Sequence, residues 1–146
     1  MTKTFVAQMR VPYSDTDAMG VVYHANYAKY FEFGRCEMLR EIGFPYGDIE
    51  KKGFMMPVAS LSCEYKKPAV YDDLLEIHTQ VLSYRGASIT ARYRILRKET
   101  GELLATGQTR LAFLRREDGR PVIIKRGYPG LYETMLAQEE PEEAGA

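Results

Sequence analysis

Between Tyr13 and Tyr27 the chain reads YSDTDAMGVVYHANY, and this stretch holds the side chains best suited to covalent chemistry. Asp17 supplies a carboxylate, His24 an imidazole, and Asn26 opens a helical pattern. A carboxylate can attack an electrophilic carbon or take a proton from water. The first N–H groups of a helix lack intrahelical partners and carry partial positive charge, so they polarise a carbonyl or hold an oxyanion. Such a carboxylate beside such donors can act as nucleophile or as base on a water while the donors hold a developing oxyanion. Each also has a plain structural use: Asp15 and Asp17 suit turns and caps, and His24 suits an exposed place beside a helix end. On composition alone the structural use is the commoner one.

Such groups need a frame. From Asn26 to Ile42, the residues Tyr27, Tyr30, Phe31, Gly34, Met38 and Ile42 recur at helical spacing, which predicts one buried face. Lys29, Glu32, Glu37, Arg40 and Glu41 fall off that stripe. Asn26 is the expected N-cap and Gly43 the expected stop. Gly34 lowers helix propensity by about 1 kcal/mol relative to Ala, which points to close approach of the helix backbone to a sheet. Beyond the helix the period changes to two. Leu75, Ile77, Thr79 and Val81 alternate with polar residues, as do Ile89, Ala91, Tyr93 and Ile95, and again Leu103 through Phe113. Pro57–Tyr65 reads as a further strand and Phe5–Val11 as an edge strand. Gly47–Lys52 suits a short helical turn and Pro129–Ala137 a terminal helix. The fold class is α+β: an antiparallel sheet of about five strands curled around one long helix.

With 146 residues, the chain makes a single domain, expected over residues 1–137. Residues 138–146 (QEEPEEAGA) form an acidic tail expected to be disordered. Twenty basic and twenty acidic side chains give a net charge of zero, which disfavours a uniformly basic nucleic-acid binder. That zero is uneven. Residues 85–126 hold eleven basic and four acidic side chains, a net of +7 that suits an anion. Tyr93 and Phe113 lie on the apolar side of their strands, and no RNP-like string occurs, so a base-stacking sheet is disfavoured. Cys36 and Cys63 form no CxxC pair and read as reduced structural thiols. No signal-like leader and no transmembrane run is present, which points to the cytoplasm.

YSDTDAMGVVYHANYAKYFEFGR closely resembles the active-site segment of the 4-hydroxybenzoyl-CoA thioesterase family. It is most similar to the branch of small bacterial acyl-CoA thioesterases associated with the Tol–Pal system. The likeness continues through Met56-Pro57-Val58, through EYKKPAVYDDLLEI (Glu64 to Ile77) and through RGASI (Arg85 to Ile89), about residues 5–115 in all. It implies a hot-dog fold and hydrolysis of an acyl-CoA thioester with no metal and no organic cofactor, in a homodimer or homotetramer. By matching position, Asp17 is the catalytic carboxylate, as nucleophile or general base. His24 stands at the helix start, where its backbone N–H polarises the thioester carbonyl. The His24 imidazole and Tyr13 assist proton handling, and Asn26 shapes the turn. Met19 stands where relatives frequently have glycine, and so narrows the acyl pocket. Glu32 and Glu37 lie where another branch keeps a catalytic glutamate, but without that branch's motif. Coenzyme A carries phosphates that match the basic block. Arg85, Gly86 and Ser88, with Lys66 and Lys67, are the expected coenzyme A contacts, and Arg115, Arg116, Arg120, Lys125 and Arg126 are further cations nearby in sequence. The alternative is a non-catalytic acyl-CoA or acyl-carrier-protein binding protein on the same fold. Asp17 in its full motif argues against that.

Overall fold

The computed structural model describes residues 1–141. Helix α1 (Asn26–Glu41) follows strand β1 (Phe5–Arg10). After it come a short helix α2 (Tyr46–Lys51), β2 (Phe54–Met55), β3 (Val58–Tyr65), β4 (Leu74–Ser83), β5 (Ser88–Arg97), β6 (Leu103–Ala112), β7 (Leu114–Arg115), α3 (Ile124–Gly127) and α4 (Pro129–Ala137). Five strands form one antiparallel sheet in the order β1-β4-β5-β6-β3. The sheet curls around α1 as the hot-dog fold does, and β1 and β3 are its edges.

The period-two pattern does what it predicts. In β4 and β5, Leu75, Ile77, Val81, Ala91, Tyr93 and Ile95 are buried, while Arg92 and Arg94 between them face solvent. Tyr27, Tyr30, Phe31, Gly34 and Met38 bury the expected face of α1. The Phe31 ring stacks on Tyr93 with centroids 4.7 Å apart. Gly34 makes that closeness possible. A Cβ there would lie 2.5 Å from Ile77 Cγ2 and 2.8 Å from Thr79 Oγ1, both on β4.

The helix ends are set differently from one another. Gly43 takes φ +90° and ends α1 as expected. Phe44 N–H bonds the Leu39 carbonyl and Gly43 N–H the Arg40 carbonyl, the paired closure of a Schellman motif. Asn26, however, is not the N-cap. Ala25 holds that place with no side-chain cap, and Asn26 is the first helical residue. Its amide reaches back to the Asp15 carbonyl instead, at 2.9 Å.

Three elements lay below the reach of the periodicity. β2 and β7 pair as a two-residue ribbon, and α3 is a four-residue turn, too short for alternation to register. The start of the acidic tail is also ordered, against the expectation of disorder from residue 138. Glu139 accepts from the N-terminal ammonium at 2.6 Å and bridges to Thr2, and Lys3 N–H bonds the Gln138 carbonyl. Residues 142–146 of that tail lie outside the described residues.

Candidate active site

The loop between β1 and α1 is tightly closed on itself. Thr16 and Val22 form an antiparallel bridge, and Asp17 N–H bonds the Val21 carbonyl at 2.9 Å. Gly20 turns the corner with φ +79°, a left-handed conformation that costs glycine little. Within this turn Met19 N–H donates to Asp17 Oδ1 at 2.8 Å. That bond fixes the carboxylate's direction, while Oδ2 takes no hydrogen bond from the described residues.

The loop is then fastened to its surroundings. Val22 N–H bonds the Ala69 carbonyl at 2.8 Å, and Val21 bridges to Val70. Asp15, only 5% exposed, accepts from Lys29 Nζ at 2.7 Å and from the Tyr30 hydroxyl at 2.8 Å. Burial alone would raise the Asp15 carboxyl. The hydrogen bonds from Lys29 and Tyr30, with the Lys29 charge, reverse that and hold it below the usual carboxylate range. Tyr30 responds in the opposite sense: burial, then the Asp15 bond, push its hydroxyl far up, so it remains a donor.

A cleft of about 370 Å³ opens where this loop meets β3 and the segment after it. Asp17, His24, Tyr27, Tyr65, Lys66 and Lys67 line it, with Met19 at its rim, 84% exposed. His24 is held between aromatic rings, Tyr23 at 4.5 Å and Tyr65 at 6.4 Å between centroids. The Tyr65 hydroxyl donates to the His24 carbonyl at 3.0 Å, tying the sheet edge to the start of α1. The backbone N–H groups of His24 and Ala25 find no partner among the described residues. Donors free of internal partners can hold a carbonyl oxygen, and a directed carboxylate can attack a carbonyl carbon.

Of the residues named from sequence, the structure therefore brings Asp17, His24, Lys66 and Lys67 into one cleft. Both lysines are exposed and paired, Lys66 with Glu64 at 2.8 Å and Lys67 with Glu102 at 2.9 Å. Tyr13 does not line the cleft. It is 76% exposed on a 3₁₀ turn, edge-on to Tyr71 at 5.5 Å. Arg85, Gly86 and Ser88 lie at the opposite end of the sheet, since β4 runs its whole length between them and the cleft, about 30 Å at ~3.3 Å per residue. There the Gly86 carbonyl accepts from Ile124 N–H and the Ala87 carbonyl from Phe113 N–H, and Arg85 lies over the Tyr84 ring. Glu32 lines a separate cavity of about 210 Å³ with Arg35, Cys36 and Met56. Burial pushes the Cys36 and Cys63 thiols up, away from a reactive thiolate.

Two contributors escaped the sequence. Tyr65 reads there as a strand end, although it directly precedes the two lysines. Arg97 binds Asp73 at 3.1 Å, Glu102 at 2.9 Å and the Pro68 carbonyl at 3.0 Å, and so holds the lysine-bearing segment in place. An arginine at a strand end gives no local signal of such a role.

These features define a hot-dog protein with a polar cleft beside the start of its long helix, and comparison with known proteins places that fold in a family. Residues 11–134 match the model of the Thioesterase-like superfamily. YneP of Bacillus subtilis is 34% identical over 122 residues, covering 84% of this chain and 88% of YneP. The acyl-CoA thioester hydrolase YbgC of Escherichia coli is 42% identical over 98 residues, 67% of this chain and 73% of YbgC. The crystal structure of DHNA-CoA thioesterase from Staphylococcus aureus superimposes with a TM-score of 0.87 at 33% identity, covering 92% of this chain and 89% of that one. The chain belongs to the Thioesterase-like superfamily, and it is a thioesterase.

Proposed function

We propose that the chain hydrolyses an acyl-CoA thioester to a carboxylic acid and free coenzyme A, with Asp17 as the catalytic carboxylate. The observation that carries this is the sharing of one cleft by Asp17, His24 with its unpartnered backbone N–H, and Lys66 and Lys67. The thioester carbonyl oxygen sits against the His24 and Ala25 N–H groups. Asp17 attacks the carbonyl carbon, or takes a proton from the water that does, and the tetrahedral oxyanion is held by the same amides. Collapse breaks the C–S bond. Coenzyme A leaves as a thiolate, which a thiol of pKa about 8.5 permits with little acid assistance. If Asp17 is the nucleophile, water then cleaves the acyl-aspartate anhydride and returns the free carboxylate. The likeness to YbgC supports the small bacterial acyl-CoA thioesterase branch.

The working unit in this reading is a homodimer joined at β3. Val58, Leu61 and Tyr65 on that edge strand are 47%, 45% and 52% exposed, an apolar strip beside unpaired strand backbone that invites pairing with a second copy. Two-fold antiparallel pairing reverses the second sheet, so Arg85 of the partner subunit comes to the same end as this chain's cleft. The +7 block then meets coenzyme A phosphates across the interface, and no single chain has to span 30 Å. A tetramer would pair two such dimers. Acyl carrier protein is a second possible carrier of the same thioester.

A thiol-release assay over short, long and aromatic acyl-CoAs tests the reading, run on the wild type and Asp17→Asn. Hydrolysis of at least one class, lost by roughly 10²- to 10⁴-fold in the folded variant, is the expected result. Undiminished turnover by Asp17→Asn overturns the role of Asp17. Tight binding without hydrolysis across the panel favours the non-catalytic alternative.

A further inference from the structure

Asp15 stands two residues before Asp17 and takes no part in the chemistry above. Its carboxylate cannot reach substrate, being 5% exposed with one oxygen on Lys29 and the other on Tyr30. Burying a charge is unfavourable unless it is paired and hydrogen-bonded, and an apolar residue could fill the same space. What a paired carboxylate adds is direction. Lys29 and Tyr30 lie in the first turns of α1, so the side chain of Asp15 fixes the loop onto the helix. Its backbone carbonyl does the same a second time, accepting from Tyr23 N–H at 2.9 Å and from Asn26 Nδ2 at 2.9 Å. The segment between these two anchorages contains both Asp17 and His24.

We propose that Asp15 is a positioning residue, which locks the Asp17 turn and the start of α1 into one rigid unit through the buried Lys29–Asp15–Tyr30 cluster. The inference rests on the reading of Asp17 as the catalytic carboxylate. A directed attack loses rate steeply with small displacements, on the order of 10²-fold for 1 Å. The lysines read as holding the coenzyme A end, Lys66 and Lys67, lie outside this segment, so loosening the clamp acts chiefly on turnover.

Steady-state kinetics on Asp15→Asn, Lys29→Met and Lys29→Arg, with folding checked by circular dichroism and thermal melting, tests this. Asp15→Asn is expected to lower kcat roughly 10- to 100-fold with KM nearly unchanged. Lys29→Met lowers kcat in the same sense, and Lys29→Arg, which keeps the cation, restores it. Unchanged kcat in folded Asp15→Asn, with only the melting temperature reduced, makes the cluster purely structural and overturns the proposal. Should Asp15→Asn fail to fold, the Lys29 pair decides, because that side chain is 56% exposed and its replacement leaves the core intact. Equal kcat in Lys29→Met and Lys29→Arg then refutes the clamp. Asp17→Asn, assayed in parallel, separates the two ideas: if it stays active, the reading of Asp17 fails whatever the Asp15 variants do.

Discussion

Where β4 begins, Val22, Tyr27, Ala69, Leu75 and Leu104 form a core beneath a loop that is polar, exposed and heavily hydrogen-bonded. Where β4 ends, a second core of Tyr84, Ile89, Phe113, Ile124, Leu131 and Met135 is closed by the short helices α3 and α4, and here the order is mostly aromatic and aliphatic contact. Phe54 stacks on Phe113 at 4.9 Å, and Tyr128 packs on Phe54 and Phe44. The first end holds a few polar groups in fixed directions; the second holds the sheet closed. Directed hydrogen bonds serve chemistry, and nondirectional packing serves stability, so the same sheet separates the two along its length.

Mutations at the two ends are therefore expected to have opposite profiles. The largest effect is on turnover: Asp17→Asn removes 10²–10⁴ of the rate while the melting temperature stays close to wild type, since Asp17 is half-exposed. Phe113→Ala reverses the pattern. It deletes a fully buried ring from the far core, costing about 3–5 kcal/mol by denaturant unfolding, while turnover per folded molecule is unaffected. A Phe113→Ala protein that melts normally but hydrolyses slowly would erase the distinction between the ends. Smaller than either is the Lys66→Gln, Lys67→Gln double change. If these two exposed cations contact coenzyme A phosphate as proposed, KM is expected to rise several-fold with kcat held, and the rise to shrink at high salt as exposed charges are screened.

The fold was legible in the sequence because its signals are long and periodic. The Tyr27–Met38 stripe, the three long alternating strands and Gly34 each depend only on local spacing, and each places itself correctly. Asp17, His24, Lys66 and Lys67 were picked out through the motifs around them, and they line one cleft. The role of Asn26 was not legible, because its amide bonds a carbonyl eleven residues back in preference to capping its own helix. Arg85 illustrates a different limit. Its turn chemistry suits phosphate, yet sequence proximity to a basic block says nothing about which end of a sheet the turn occupies. The Lys29–Asp15–Tyr30 cluster was equally hidden, since a carboxylate in a turn before a helix looks solvated until the helix is folded beneath it.

Acid titration also separates the two ends, because each holds a carboxyl below its ordinary range. For Glu139 the bond from the N-terminal ammonium is the main cause, and that side chain is 26% exposed. Asp15 is nearly buried, with burial opposing the Lys29 and Tyr30 contacts. For both groups the folded value lies below the unfolded one, so each stabilises the fold above the ordinary carboxylate pKa of about 4. That contribution is lost as pH falls through the lower folded value. Lys29→Met removes the Lys29 bond and charge that lower Asp15 and leaves only the Tyr30 bond against the burial that raises it. Acid unfolding of this variant, followed by circular dichroism, is expected to begin at higher pH than in the wild type. Glu139→Gln removes a more exposed and better solvated pair, so its acid transition moves less. A larger shift in Glu139→Gln than in Lys29→Met would mean that the chain termini, and not the active loop, hold the fold together in acid.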